Sequence, residues 1–100
     1  MELYSERIEV ELPQDQVLPA PVVFTWRGQR YEVRETVRRW TDTGFPPGAK
    51  RRSWLERRHR EYFRLRTEEG AVWEVYLDRA GGRRAWFLSR RWGPEELPDS

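Results

Sequence analysis

Apolar and polar residues alternate one by one along much of this chain, and only a β-strand puts every second side chain on one face. Ile8, Val10 and Leu12 alternate with Glu9 and Glu11. Tyr31, Val33, Glu35 and Val37 alternate with Glu32, Arg34, Thr36 and Arg38. Phe63, Leu65 and Thr67 alternate with Tyr62, Arg64 and Arg66. Trp73, Val75 and Leu77 alternate with Glu74, Tyr76 and Asp78, and Trp86 and Leu88 stand opposite Phe87 and Ser89. Val22–Arg27 adds a run of β-branched and aromatic residues, which suits a pleated surface.

Turn residues separate these runs. Arg27-Gly28-Gln29 joins two of them as a hairpin, Asp42-Thr43-Gly44 and Pro46-Pro47-Gly48 end the next, and Glu69-Gly70 and Gly81-Gly82 turn the chain again. The reading is an all-β or mainly β chain: a six-stranded antiparallel meander forming a small barrel or a strongly twisted sheet. The 100 residues make a single domain. Charged residues are 36% of it and aliphatic ones are scarce, so the core must lean on aromatics, six of them Trp. Trp26, Trp73 and Trp86 are expected to be largely buried, and most strand aromatics are read as core or cross-strand pairs rather than a stacking surface.

Residues 1–20 read as an acidic strand followed by a Pro-rich arm, and residues 93–100 as a flexible tail. Residues 44–60 are long for a structureless loop. Ser53-Trp54-Leu55-Glu56 has capping-box spacing, and Glu56/Arg60 and Arg57/Glu61 are i,i+4 pairs. The segment is therefore either an irregular basic loop or a short helix near 54–61.

Charge is uneven although the net is +2. Residues 1–20 hold five acids against one Arg, whereas residues 41–60 hold six basic residues against two acids. The densest cluster is Lys50, Arg51, Arg52, Trp54, Arg57, Arg58 and Arg60. Arg binds phosphate bidentately, and both Arg and Trp stack on bases. Together with Arg27 and Arg30 at the hairpin tip, these are the candidate nucleic-acid-binding residues. The other reading of the cluster is a solvated charged loop, partly neutralised by the acidic arm. Basic residues are 18 Arg and one Lys, a bias that goes with GC-rich genomes or thermophiles and points to no function.

Catalysis finds no footing. There is no Cys, and His59 is the only His and sits among Arg residues, which disfavour its protonation and any metal. The pairs Glu9/Glu11, Glu68/Glu69 and Glu95/Glu96 lack the apolar surroundings that raise a carboxylate for acid–base work. No phosphate-cradling glycine motif occurs. No enzyme activity, cofactor, metal or small-molecule substrate is expected. The absence of Cys fits a cytoplasmic protein, and neither a signal peptide nor an apolar span is read in the sequence.

Three strings carry a resemblance: Arg7-Ile8-Glu9-Val10-Glu11, then Val23-Phe24-Thr25-Trp26-Arg27-Gly28-Gln29-Arg30-Tyr31-Glu32-Val33, and the closing Trp73-Glu74-Val75-Tyr76-Leu77-Asp78 with Trp86-Phe87-Leu88-Ser89-Arg90. With them the chain resembles domain-of-unknown-function family 6504, small bacterial proteins of unknown function, over nearly all of its length except residues 44–58. Family members often end in Trp/Tyr-Asp where this chain has Trp92-Gly93. The resemblance implies relatives near accessory genes of error-prone DNA polymerases, and no catalytic residue. Two functions follow as expectations. One is a non-enzymatic accessory module that contacts DNA or RNA through the basic segment. The other is a protein–protein or self-associating module, a homodimer for instance, that uses a strand edge or an aromatic patch.

Overall fold

The computed structural model describes residues 1–14, 19–42, 60–79 and 84–97. Its strands are β1 (Glu2–Glu11), β2 (Val23–Trp26), β3 (Gln29–Asp42), β4 (Arg60–Thr67), β5 (Val72–Asp78) and β6 (Ala85–Trp92). Each is antiparallel to the next, and β6 returns to pair with β1, so the meander is a closed barrel rather than an open twisted sheet.

Closure depends on two strands that change partners. β1 pairs with β6 from Glu2↔Arg91 to Ile8↔Trp86, then with β2 from Glu9↔Thr25 to Glu11↔Val23. β3 pairs with β2 through Glu32 and with β4 from Val33 onward. Register shifts mark the bends: one on β1 between Leu3 and Glu6, two on β3, and one between β5 and β6. An extra residue in one strand bends it and adds twist, which a small barrel needs.

The tight turn after β2 is Arg27-Gly28, with φ of 51° and 77°. Two positive φ values are the signature of a type I′ turn, whose twist matches the flanking strands. Glycine adopts that region freely. Arg27 does not, and it is held by contacts to β1 described below.

The interior is aromatic, as the shortage of aliphatic residues requires. Phe24, Phe63, Leu65, Trp73, Val75 and Leu88 are all at most 1% exposed. Trp73 sits among Phe24, Trp26 and Tyr31 at centroid distances of 5.2, 5.5 and 4.6 Å. Its indole N–H donates to Thr67 Oγ1 at 3.1 Å, so the polar atom it brings inside has a partner. Trp26 and Trp86 are partly buried and pack against the core cluster. Trp26 lies beside the Arg27-Gly28 turn with its N–H on Glu6 Oε1, 3.1 Å away, and Trp86 packs on Phe63 where β1 exchanges β6 for β2.

No helix occurs among the described residues. Arg60 and Glu61, the end of the expected short helix, open β4 instead, and residues 54–59 lie outside the described residues, as does Gly81-Gly82. The start of the expected flexible tail is fastened: Gly93 is buried, Glu96 N–H donates to Gly93 O at 3.0 Å, and the Glu96 carboxylate meets the Met1 amino group. No helix among the described residues is long and apolar enough to cross a membrane.

Candidate nucleic-acid interface

Tyr62, Tyr76 and Phe87 belong to the polar phase of their strands, so they stand on the outside of the barrel. β4 and β5 pair without a register shift, which sets Tyr62 opposite Tyr76. Tyr76 is opposite Phe87, and the two bulges of β3 bring Trp40 opposite Tyr62. The result is one row of rings across four adjacent strands. Trp40 and Tyr62 are stacked at 5.1 Å, Tyr62 and Tyr76 are tilted at 5.2 Å, and Tyr76 and Phe87 are stacked at 5.3 Å. All four are half-buried. Cross-strand aromatic pairs stabilise a sheet by roughly 0.2–1 kcal/mol each, so the row is part of the fold as well as a surface.

Guanidinium groups flank the row on both sides. On one side stand Arg38, Arg64, Glu74 and Arg90, themselves aligned in register. Arg38 lies over the Trp40 ring at 5.1 Å, and Arg64 lies 5.3 Å from Trp40 and 4.8 Å from Trp92. Glu74 faces outward yet is only 4% exposed. It accepts from Arg64 Nε at 3.1 Å and from Ser89 Oγ at 3.2 Å, with Arg90 Nε at 3.6 Å. A buried carboxylate needs such partners, and it offsets one of the two positive charges it holds in the middle of the row.

On the other side is Arg60. Its guanidinium lies 4.7 Å from the Tyr76 centroid, and Nη1 reaches the Tyr62 hydroxyl at 3.4 Å. Nε is buried with no hydrogen-bond partner among the described residues. The contact with Tyr62 holds the group above its ordinary pKa, against the effect of burial, so Arg60 stays charged.

Phe87 is also opposite Arg7 on β1, so the row continues into an open groove lined by Arg7, Glu9, Arg27, Arg84 and Trp86. Arg7 and Arg84 are exposed and form no ion pair among the described residues. The groove is open and lined by charge, unlike the enclosed, mostly apolar cavities that hold small ligands. No group of three or more His, Cys, Asp or Glu among the described residues stands together to hold a metal.

Of the residues singled out in the sequence, the structure brings Arg60 to the aromatic row. Arg27 and Arg30 sit elsewhere, at the β2–β3 turn, and both are matched by acids of β1. Arg27 forks onto Glu6, with Nη2 2.6 Å from Oε2 and Nε 3.0 Å from Oε1, and stacks over Trp26 at 4.6 Å. Arg30 Nη1 lies 2.7 Å from Glu11 Oε2. Lys50, Arg51, Arg52, Trp54, Arg57 and Arg58 lie outside the described residues. The segment that carries them joins Asp42 to Arg60, the register pair two residues along from Trp40↔Tyr62.

Sequence reasoning missed Trp40, Tyr62, Tyr76 and Phe87 as a surface. A signal was present: Tyr62 alternates in phase with Arg64 and Arg66, Tyr76 with Glu74 and Asp78, and Phe87 with Ser89. Large rings in the charged phase of an amphipathic strand face solvent, not core.

A family model described as Domain of unknown function (DUF6504) matches residues 1–93. No curated protein and no solved structure matches the chain.

Proposed function

The chain belongs to the DUF6504 family, a domain of unknown function, and we propose that it is a non-enzymatic accessory module that binds nucleic acid on the outer face of β3 to β6. One observation carries this reading: a row of outward aromatic rings lies beside Arg38, which forms no ion pair among the described residues, and Arg60, which rests on the Tyr62 and Tyr76 rings with Asp78 opposite it. Rings stack on bases and guanidinium groups meet phosphates, and the pairing of the two is what a nucleic acid requires of a surface. In sequence, Lys50, Arg51, Arg52, Arg57 and Arg58 fall between Asp42 and Arg60.

Docking of a protein would use the same rings. The sign of the charge around them favours a polyanion instead. Self-association through a strand edge would use the stretches that are paired on one side where β1 and β3 change partners, β1 through Ile8 and β3 beyond Val33.

The test is fluorescence anisotropy with labelled strands of about 20 nucleotides, single and duplex, from about 50 mM salt upward. Log affinity should fall linearly with log salt, by roughly 0.7 per phosphate contacted for a single strand and 0.9 for a duplex. No affinity for either at low salt would overturn the proposal.

A further inference from the structure

We infer that the ligand is a single strand of DNA or RNA whose bases stack on Trp40, Tyr62, Tyr76 and Phe87 and whose backbone continues to Arg7 and Arg84. This rests on the nucleic-acid reading above and adds the strandedness and the path of the ligand.

Strandedness comes from the rings. A duplex hides the faces of its bases and offers side chains only groove edges and phosphates, whereas an unpaired base presents a π-face that any ring can meet. A continuous row of four rings is of little use to a duplex. It spans about 15 Å at the ~4.8 Å spacing of neighbouring strands, enough for a few unpaired bases.

The path comes from where the cations stand. In the middle of the row Arg64 and Arg90 share the Glu74 carboxylate, which offsets one of their two charges. At the β3–β4 end Arg38 forms no ion pair among the described residues, while Arg60 is drawn to Asp78 opposite it, and at the β6–β1 end Arg7 and Arg84 form none. Guanidinium groups without an ion pair among the described residues therefore stand at the two ends, Arg38 at one and Arg7 and Arg84 at the other, while those between them share a carboxylate. Bases suit the middle, and phosphates suit the ends. Phe87↔Arg7 places the last ring and the first groove cation in one register row, so the strand crosses β3, β4, β5 and β6 to reach β1. Arg27, in the same groove, already answers Glu6 and adds little.

The probes are oligothymidylate, oligouridylate and a mixed-sequence duplex of equal length, measured by anisotropy against the wild type and three variants. Either single strand should bind more tightly than the duplex. Phe87→Leu should weaken single-strand binding roughly 5-fold or more, the lower end of the loss for one base–ring stack, while Phe87→Tyr retains it. Arg7→Gln with Arg84→Gln should lower the single-strand salt slope by about one unit or more, given roughly 0.7 per phosphate. As a check that needs no variant, the Trp40 indole N–H resonance should move as wild-type protein is saturated with oligothymidylate. Duplex binding as tight as both single strands, or a Trp40 resonance that stays still at saturation, overturns the inference and leaves the nucleic-acid reading intact. Absence of binding to all three probes overturns that reading itself.

Discussion

The rings of Trp40 and Tyr62 lie 5.1 Å apart with planes within 2° of parallel, stacked across β3 and β4 on the outside of the barrel. Such pairs contribute ~0.5–1.5 kcal/mol beyond the burial of their area. A double-mutant cycle on Trp40→Leu and Tyr62→Leu, followed by denaturant unfolding, should give a coupling of about 1 kcal/mol. Coupling near zero would show that the two rings do not support each other in solution, and that the row is not preformed for a ligand.

Inside the barrel the same residue type behaves differently. Trp73 is 1% exposed, touches three other rings and hydrogen-bonds Thr67. Trp73→Ala should cost on the order of 3–5 kcal/mol in an unfolding titration, since neighbours on a closed barrel can collapse only partly into the space. A loss below ~1 kcal/mol would mean that Trp73 is not in the core.

The two tryptophans also mark how far the sequence could be read. Strand phase was legible wherever pairing runs unbroken. β4 and β5 pair without a shift from Arg60↔Asp78 to Arg66↔Val72, and the alternation Phe63, Leu65, Thr67 against Trp73, Val75, Leu77 gives their inner faces directly. It failed where a strand bulges. On β3 the sequence carries Tyr31 and Val33 on to Glu35 and Val37, but two register shifts set Glu35 opposite Arg66 and Arg38 opposite Arg64. The first shift reverses the phase at Glu35 and Thr36 and the second restores it, so that Arg39 lies over Phe63 and Trp40, already in the outward phase, comes opposite Tyr62. On β6 one shift sets Arg91 opposite Trp73 and leaves Trp92 beneath Arg64. A bulge depends on the geometry of both strands, and no residue type at these positions announces it. Closure through Glu2↔Arg91 was likewise hidden, because it joins the two ends of the chain. The aromatic row was half legible: the outward phase of Tyr62, Tyr76 and Phe87 can be read from their neighbours, but their alignment into one row is a matter of register.

The Glu6 carboxylate reports whether the β2–β3 turn is fixed to β1. The fork of Arg27 holds Glu6 below the ordinary glutamate range, against a smaller opposing effect of desolvation, with a further contribution from the Trp26 indole. A lowered folded pKa means that the stabilisation is present above the unfolded value, ~4.3, and is lost as pH falls through the folded one. The Trp26 indole N–H resonance should therefore titrate with a midpoint below that of an ordinary glutamate, and Glu6→Gln should abolish the step. A midpoint at or above the ordinary value would show that Arg27 does not hold Glu6 in solution, and the unusual backbone of Arg27 would be left without this anchor.

Arg30 and Arg60 carry the same charge, and the structure assigns them opposite weights in binding. Arg30 is matched by Glu11 at 2.7 Å, with both side chains more than half exposed (58% and 57%). Exposed pairs of this kind contribute about 0–1 kcal/mol, so Arg30→Gln should change stability little. It should also change affinity little, because the charge it removes was already answered by Glu11. Arg60 instead lies against the Tyr62 and Tyr76 rings of the row, partly buried, with Asp78 opposite it. Arg60→Gln should weaken single-strand binding and reduce the log–log salt slope by roughly 0.7, the share of one phosphate. Arg60→Lys keeps the charge, so it should keep most of that slope while losing the planar contact with the Tyr76 ring and some affinity. Anisotropy across a salt series separates the three variants. If Arg30→Gln lowers the slope as much as Arg60→Gln, binding follows net charge wherever it lies on the surface, and the aromatic row has no privileged part in it.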